Sequence, residues 1–389
     1  MYHDIFSQLG GDIEKISAEC VKFGSGAQHG QEFLNCSSEG RSIIVTYDSG
    51  WYLVGKSLKD NTTSKEVTCF SFDNGLPFLP ALEKLLLSVS DAKRVAVIGN
   101  QSLALYCAHF LKDASICFIP TDFNFCAFYN LILSGRTDCR LIIDGKLLIG
   151  KKNIAASGVK SILSKNIILL EDAVNRAIGG YFVNNNWQNI LKSAIECALK
   201  YFETQNVYYI IRGQLFAQAA VYLSGIGNPS EMAAAVLENF ANLSEVGERE
   251  YFAYKMLVRI YLVYFSNDSS FLIKKGGELL QTEEINRLFP FVANKIINKM
   301  PQWVYDDKKV KQYKANAIKE DVLKKIKEQE GLFERHAQML RKIYAGRKYT
   351  VEHYTVKQRA LALNLLPLLS NECGALWLVF ADGVLEYIS

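Results

Sequence analysis

The stretch Val95-Ala-Val-Ile-Gly-Asn-Gln-Ser102 decides how this chain is read. Four apolar residues run unbroken into a glycine, and a helical pattern follows from Ser102 to Leu111. An uninterrupted, β-branched run is the mark of a strand buried on both faces. A strand that ends in a glycine turn and enters a helix aims backbone N–H groups and a helix N-terminus at one point, where a phosphate can sit. A single glycine leaves two readings open: an ordinary strand–helix turn and a nucleotide-binding turn.

Similar runs flank it. They are Ser42-Ile-Ile-Val-Thr-Tyr47, Glu66-Val-Thr-Cys-Phe-Ser-Phe72 and Ser115-Ile-Cys-Phe-Ile119, with helical patterns at Leu79 to Leu87 and Ser102 to Leu111. Buried strands alternating with helices imply a parallel sheet covered by helices. The pattern changes near Gly150. Ile190, Leu191, Ala194, Ile195, Ala198, Leu199 and Phe202 recur at helical spacing. Gly213 to Leu223 and Ala253 to Tyr264 are also apolar and helical, and helix signals continue to Arg347 and again from Val356 to Leu369. This half shows no clear strand. The expectation is a Rossmann-like α/β domain over 1–152, an all-helical domain over 153–389, and a cleft between them.

Composition agrees with a globular chain of more than one core. At 389 residues the chain exceeds what one core usually holds. With 49% hydrophobic and 22% charged residues, it is neither a disordered, a collagen-like nor a rod-like chain. A net charge of +4 is too small to point to nucleic acid. The basic stretch 307–348 is interleaved with Glu320, Asp321, Glu328, Glu330 and Glu334, and reads as a solvated helix face. The nine cysteines include no CxxC pair and several lie in apolar runs, as free thiols in a reducing compartment do. Met1-Tyr-His-Asp-Ile5 lacks the start of a signal peptide, and no apolar run reaches the ~18–20 residues of a membrane span. A soluble, cytoplasmic protein with no membrane and no nucleic-acid partner is expected.

Several short motifs follow one another in a telling order. Val21-Lys-Phe-Gly-Ser-Gly-Ala27 precedes the strand ending in Thr46-Tyr-Asp48. The glycine turn comes next, then Phe118-Ile-Pro-Thr121, Ile142-Ile-Asp-Gly-Lys-Leu-Leu148 and the stretch from Ile154 to Lys165. Gly227-Asn-Pro-Ser-Glu231 and Glu245-Val-Gly-Glu248 complete the series. In the tail, Leu340 to Gly346 and Asp382-Gly-Val-Leu385 continue it. This order resembles the superfamily of iron-containing alcohol dehydrogenases, glycerol dehydrogenases and dehydroquinate synthases. Within it the likeness is nearest to glycerol-1-phosphate dehydrogenase.

The resemblance implies NAD(P) in the cleft. Asp48 matches the acidic residue that faces the adenine ribose. Gly99, Asn100, Gln101 and Ser102 match a GGGS pyrophosphate loop in which only the first glycine and the serine remain, and the aspartate that follows in the family is Leu105 here. Pro120 and Thr121 match the turn near the nicotinamide. Side chains at Asn100 and Gln101 should obstruct the pyrophosphate, so weak dinucleotide binding is expected. Cys126 falls where many members have a substrate-contacting aspartate, and reads as a buried, inert thiol.

The family also implies a divalent metal held by one aspartate and two histidines. The aspartate position falls on Ser161, or on Gly180 in a second register; the histidine positions fall on Met232 and Val246. The five histidines are His3, His29, His109, His336 and His353, so none lies between 110 and 335. Without N, O or S ligands of the right kind, no metal is expected, and with it goes the Lewis acid. Lys151, Lys152, Lys160 and Lys165 read as surface lysines, with anion binding as the other reading. His109 reads as a structural or surface residue, and His336 and His353 read as lying on exposed helical faces or turns.

Two functions from different classes follow. One is a degenerate, pseudoenzyme-like member that binds a nucleotide or a small phosphorylated metabolite, or serves as a partner subunit. The other is an active NAD(P)-dependent polyol-phosphate oxidoreductase with altered ligands drawn from Asp172, Glu231 or Glu248. Whether the family's tendency to form homo-oligomers persists is left open.

Overall fold

The unbroken apolar runs become four strands of one six-stranded parallel sheet; three lie inside it, whereas the run expected buried at 66–72 forms a half-buried edge strand. In the computed structural model the described residues are 5–36, 40–63, 67–72, 86–148, 152–177, 186–237, 246–266 and 319–343, with isolated positions elsewhere. The strands are β1 (Val21–Phe23), β2 (Ser42–Tyr47), β3 (Val67–Phe72), β4 (Arg94–Gly99), β5 (Ser115–Pro120) and β6 (Cys139–Ile143). Their order across the sheet is β1-β6-β5-β4-β2-β3. Four match the expected runs. β1 and β6 were not read as strands, because Lys22 and Arg140 interrupt their apolar character.

The helices of this part are α1 (Gly11–Cys20), α2 (Gly26–Asn35), α3 (Lys56–Asn61), α4 (Gln101–Phe110) and α5 (Cys126–Leu133). Alternate strand residues face opposite sides, so one sheet buries two sets of side chains. Ile44, Ala96, Ile98, Cys117, Ile119 and Ile142 pack with Leu34 of α2 and Leu58 of α3 on one side. On the other, Phe118 meets Phe128 of α5 with ring centroids 5.1 Å apart. Burial of both faces explains the lack of polar alternation in the sequence.

The chain divides into two compact units, 1–158 with 199–219, and 159–198 with 220–389. Beyond the sheet come α6 (Lys152–Ser164), α7 (Ile167–Ala177), α8 (Asn186–Thr204), α9 (Val207–Ser224), α10 (Pro229–Leu237), α11 (Val246–Ser266) and α12 (Lys319–Ile343). The described part of the sequence after residue 150 holds no strand. Among the described residues no helix is long and apolar enough to cross a membrane. The helix signal at 79–87 and the tail motifs at 344–346 and 382–385 lie largely outside the described residues.

Candidate functional site

The strand order reverses between β2 and β4. β2 is followed outward by β3, whereas β4 lies on its other side and leads on to β5 and β6. In open parallel sheets ligands bind beyond the carboxyl ends of the strands at such a switch point. Asp48 follows β2 directly. Gly99 ends β4 and pairs with Pro120 at the end of β5. Thr121 N–H donates to Gly99 O at 3.0 Å. The sequence-selected residues Asp48, Gly99–Ser102 and Pro120–Thr121 thus share one edge of the sheet.

Gly99 is glycine for a backbone reason. Its φ is +150°, and a Cβ there would stand 2.8 Å from the Tyr47 ring. The next two residues turn inward and bond the turn to itself. Asn100 is the N-cap of α4, its Oδ1 accepting from Leu103 N–H at 3.0 Å. Gln101, only 7% exposed, donates from Nε2 to Asn124 Oδ1 at 2.6 Å. Its Oε1 accepts from Ala127 N–H at 3.0 Å. An amide that a phosphate would use is therefore taken by Asn100, and Gln101 ties the turn to the loop before α5.

The second cluster lies in the helical unit. Lys160 of α6 is buried and paired with Glu248 of α11. Lys165, just beyond α6, is fully buried; its Nζ lies 3.1 Å from Glu250 Oε2 and 3.3 Å from Glu231 Oε2. The sequence reading of both residues as surface lysines is thereby corrected. Burial lowers the Lys160 ammonium's pKa against the pull of Glu248. It raises that of the Glu250 carboxyl against the pull of Lys165. Glu250 was not singled out in the sequence at all.

The described positions that the resemblance assigns to metal ligands lie in or next to the same helices. Ser161 is buried and hydrogen-bonds Glu250. Met232 and Val246 lie in α10 and at the start of α11, and Gly180 lies outside the described residues. Asp172 is held by Arg176 Nε at 2.9 Å and Gln188 Nε2 at 3.1 Å. Among the described residues no three His, Cys, Asp or Glu side chains are grouped to hold a metal ion. A hydroxyl, a thioether and an isopropyl group, with neighbouring carboxylates engaged by ammonium groups, do not fit the divalent metal that the resemblance implies. The set Asp172, Glu231 and Glu248 does not form an alternative either.

The other singled-out residues divide. Cys126 is buried at the start of α5, with Sγ donating to Gln214 Oε1, while Gln214 Nε2 donates to Gly158 O at 2.8 Å. His109 is exposed near the end of α4. His336 was expected on an exposed face, yet it is 2% exposed on α12 against Tyr251. Burial lowers its pKa to about 4. Lys151 and His353 lie outside the described residues, and Lys152 begins α6.

No protein-family model matches this chain, and no curated protein matches it by sequence. Solved structures do. An alcohol dehydrogenase, ADH/D1, of an archaeal halo-thermophile from a Red Sea brine pool is 11% identical, covering 90% of this chain and 90% of its own, with a TM-score of 0.52. The YqhD protein of E. coli K-12 is 11% identical, covering 94% of this chain and 96% of its own, with a TM-score of 0.52. A glycerol dehydrogenase from Schizosaccharomyces pombe is 14% identical, covering 84% and 92%, with a TM-score of 0.48. The fold statement rests on the first two. With a parallel α/β sheet followed by a helical unit, this chain has the fold of the iron-containing alcohol dehydrogenases.

Proposed function

We propose that this chain has given up metal-dependent hydride transfer and binds a nucleotide or a small phosphorylated metabolite at the carboxyl edge of its sheet. One observation carries the reading: Glu231, Glu248 and Glu250, close in sequence to the positions Met232 and Val246 that the resemblance assigns to metal ligands (with Ser161 or Gly180 as the third), are paired with buried lysines. Without a Lewis acid, nothing at that place lowers the pKa of a substrate hydroxyl for hydride removal. The binding half of the reading is supported by the topological switch point and by the strand–glycine–helix turn at Gly99. NAD(P) is held weakly in this reading, because Asn100 and Gln101 occupy the turn with their own hydrogen bonds.

The test is metal content, followed by turnover. Protein purified without chelator is offered zinc, iron or manganese, dialysed, and its metal measured. It is then assayed with both nicotinamide cofactors and dihydroxyacetone phosphate. The expected result is metal far below one per chain and no cofactor oxidation. About one tightly held metal per chain with turnover would overturn it in favour of an active polyol-phosphate oxidoreductase.

A further inference from the structure

Two side chains lie across the carboxyl edge of the sheet. A dinucleotide bound at a switch point runs from the end of one strand, over the glycine turn, to the strands beyond it. At Gly99 the room left by the missing Cβ is taken by Tyr47 of β2, whose ring would stand 2.8 Å from such an atom. The glycine therefore makes room for a side chain of the protein, where a nucleotide-binding turn makes room for a diphosphate. Beyond the turn, Gln101 is buried and reaches the loop and helix that follow β5, with Nε2 2.6 Å from Asn124 Oδ1 and Oε1 3.0 Å from Ala127 N. Tyr47 thus bridges β2 to β4, and Gln101 bridges the β4 turn to the next one. The way from the end of β2 to the end of β5 is crossed at both steps.

The β2 side of the edge is different. Directly after β2 comes a turn of π-helix, Trp51–Gly55, a conformation that recurs at functional sites. It is seated on the end of β4: a Cβ on Gly50 would lie 3.2 Å from Ile98 O. Trp51 is turned in against Gly55, where a Cβ would meet its ring at 2.8 Å. Tyr52 and Leu53 are turned out, 82% and 51% exposed. A lone exposed apolar residue is ordinary, but a tyrosine and a leucine side by side next to a switch point offer an aromatic face for a base to cover.

Resting on the nucleotide reading, we propose that this edge is a seat for a single nucleotide, with its base on Tyr52 and its phosphate toward the turn. Tyr47 and Gln101 are the specificity-determining residues, because they bar the second half of a dinucleotide.

The experiment is calorimetry with AMP and NADH on the full-length wild type, Tyr52→Ser and Tyr47→Ala/Gln101→Ala. The wild type should bind AMP, and NADH no more tightly, since the nicotinamide half finds no seat. Tyr52→Ser should weaken AMP about tenfold, the size of a lost base–aromatic stack. The double variant should gain about tenfold for NADH over AMP. A wild type that clearly prefers NADH, or a double variant without the gain, overturns the proposal while the nucleotide reading stands. So does an AMP affinity unchanged in Tyr52→Ser. Should the double variant not fold, Gln101→Ala alone is judged by the same rule. No binding of AMP or NADH to any of these proteins removes the nucleotide reading itself, and the proposal with it.

Discussion

The turn after β4 and the lysine cluster around α6 and α11 are both polar sites, and they are built in opposite ways. At the turn, the partners are near in sequence or just beyond the adjacent strand: Asn100 caps its own helix, and Gln101 reaches Asn124 and Ala127, in the loop and helix that follow β5. In the cluster, Lys160 and Glu248 stand 88 positions apart, and Lys165 and Glu250 stand 85 apart. The turn is held by neutral hydrogen bonds that are themselves part-buried. The cluster is held by full charges withdrawn from solvent. Local polar structure is cheap and replaceable; a buried charge depends wholly on its distant partner.

The largest effect should therefore come from breaking the cluster. Glu250→Ala removes the fully buried carboxylate 3.1 Å from the Lys165 ammonium, and should cost about 3–5 kcal/mol in urea unfolding. Glu248→Ala should cost less, since Glu248 is 26% exposed. Equal costs would mean that burial is not what separates the two pairs.

Next comes His336, a second buried polar group of the helical unit. Its Nδ1 meets no hydrogen-bond partner among the described residues, and Arg335 adds to the penalty for charging it. The folded chain refuses a proton until about pH 4, whereas the unfolded chain accepts one near the ordinary value of 6.5. Between those values the unfolded state binds more protons, so stability is lost as pH falls through that window. The full contribution is roughly 3 kcal/mol. His336→Leu should flatten this part of the pH profile, read as urea midpoints from pH 7 to 4. An unchanged slope would assign acid sensitivity to other groups.

The smallest effect should lie at the turn. Asn100→Ala removes the cap and should cost about 1 kcal/mol, whereas Asn100→Gly should cost only a few tenths. The glycine variant also releases Leu103 N–H for a ligand. ADP measured by calorimetry should bind more tightly to Asn100→Gly than to the wild type. Unchanged affinity would place the ligand away from this turn and dissolve the comparison.

The sheet was legible because strands buried on both faces write themselves as continuous apolar runs. Ile43–Val45, Val95–Ile98 and Ile116–Ile119 are all fully buried. β1 failed that rule by being three residues long, and β6 through Arg140, whose side chain turns back to Cys139 O at 3.1 Å. The chain-order motifs placed Asp48, Gly99–Ser102 and Pro120–Thr121, and the sheet brought them to one edge. The burial of the lysines was not legible: α6 is buried on every side from Ala155 to Ser164, so no helical phase marks Lys160 as facing inward, and nothing local names its partner.

By itself, then, the sequence determined four of the six strands, the glycine at the end of β4 and the lack of histidine between 110 and 335. Those follow from backbone geometry and residue chemistry, which act over a few positions. Only the tertiary structure decided which charges are buried and what neutralises them. In the sequence Glu231 and Glu248 stand out only as alternative metal ligands, and Glu250 does not stand out at all. They become partners of buried lysines because packing removes water from both sides, and an ion without water must find an opposite charge wherever the fold supplies one.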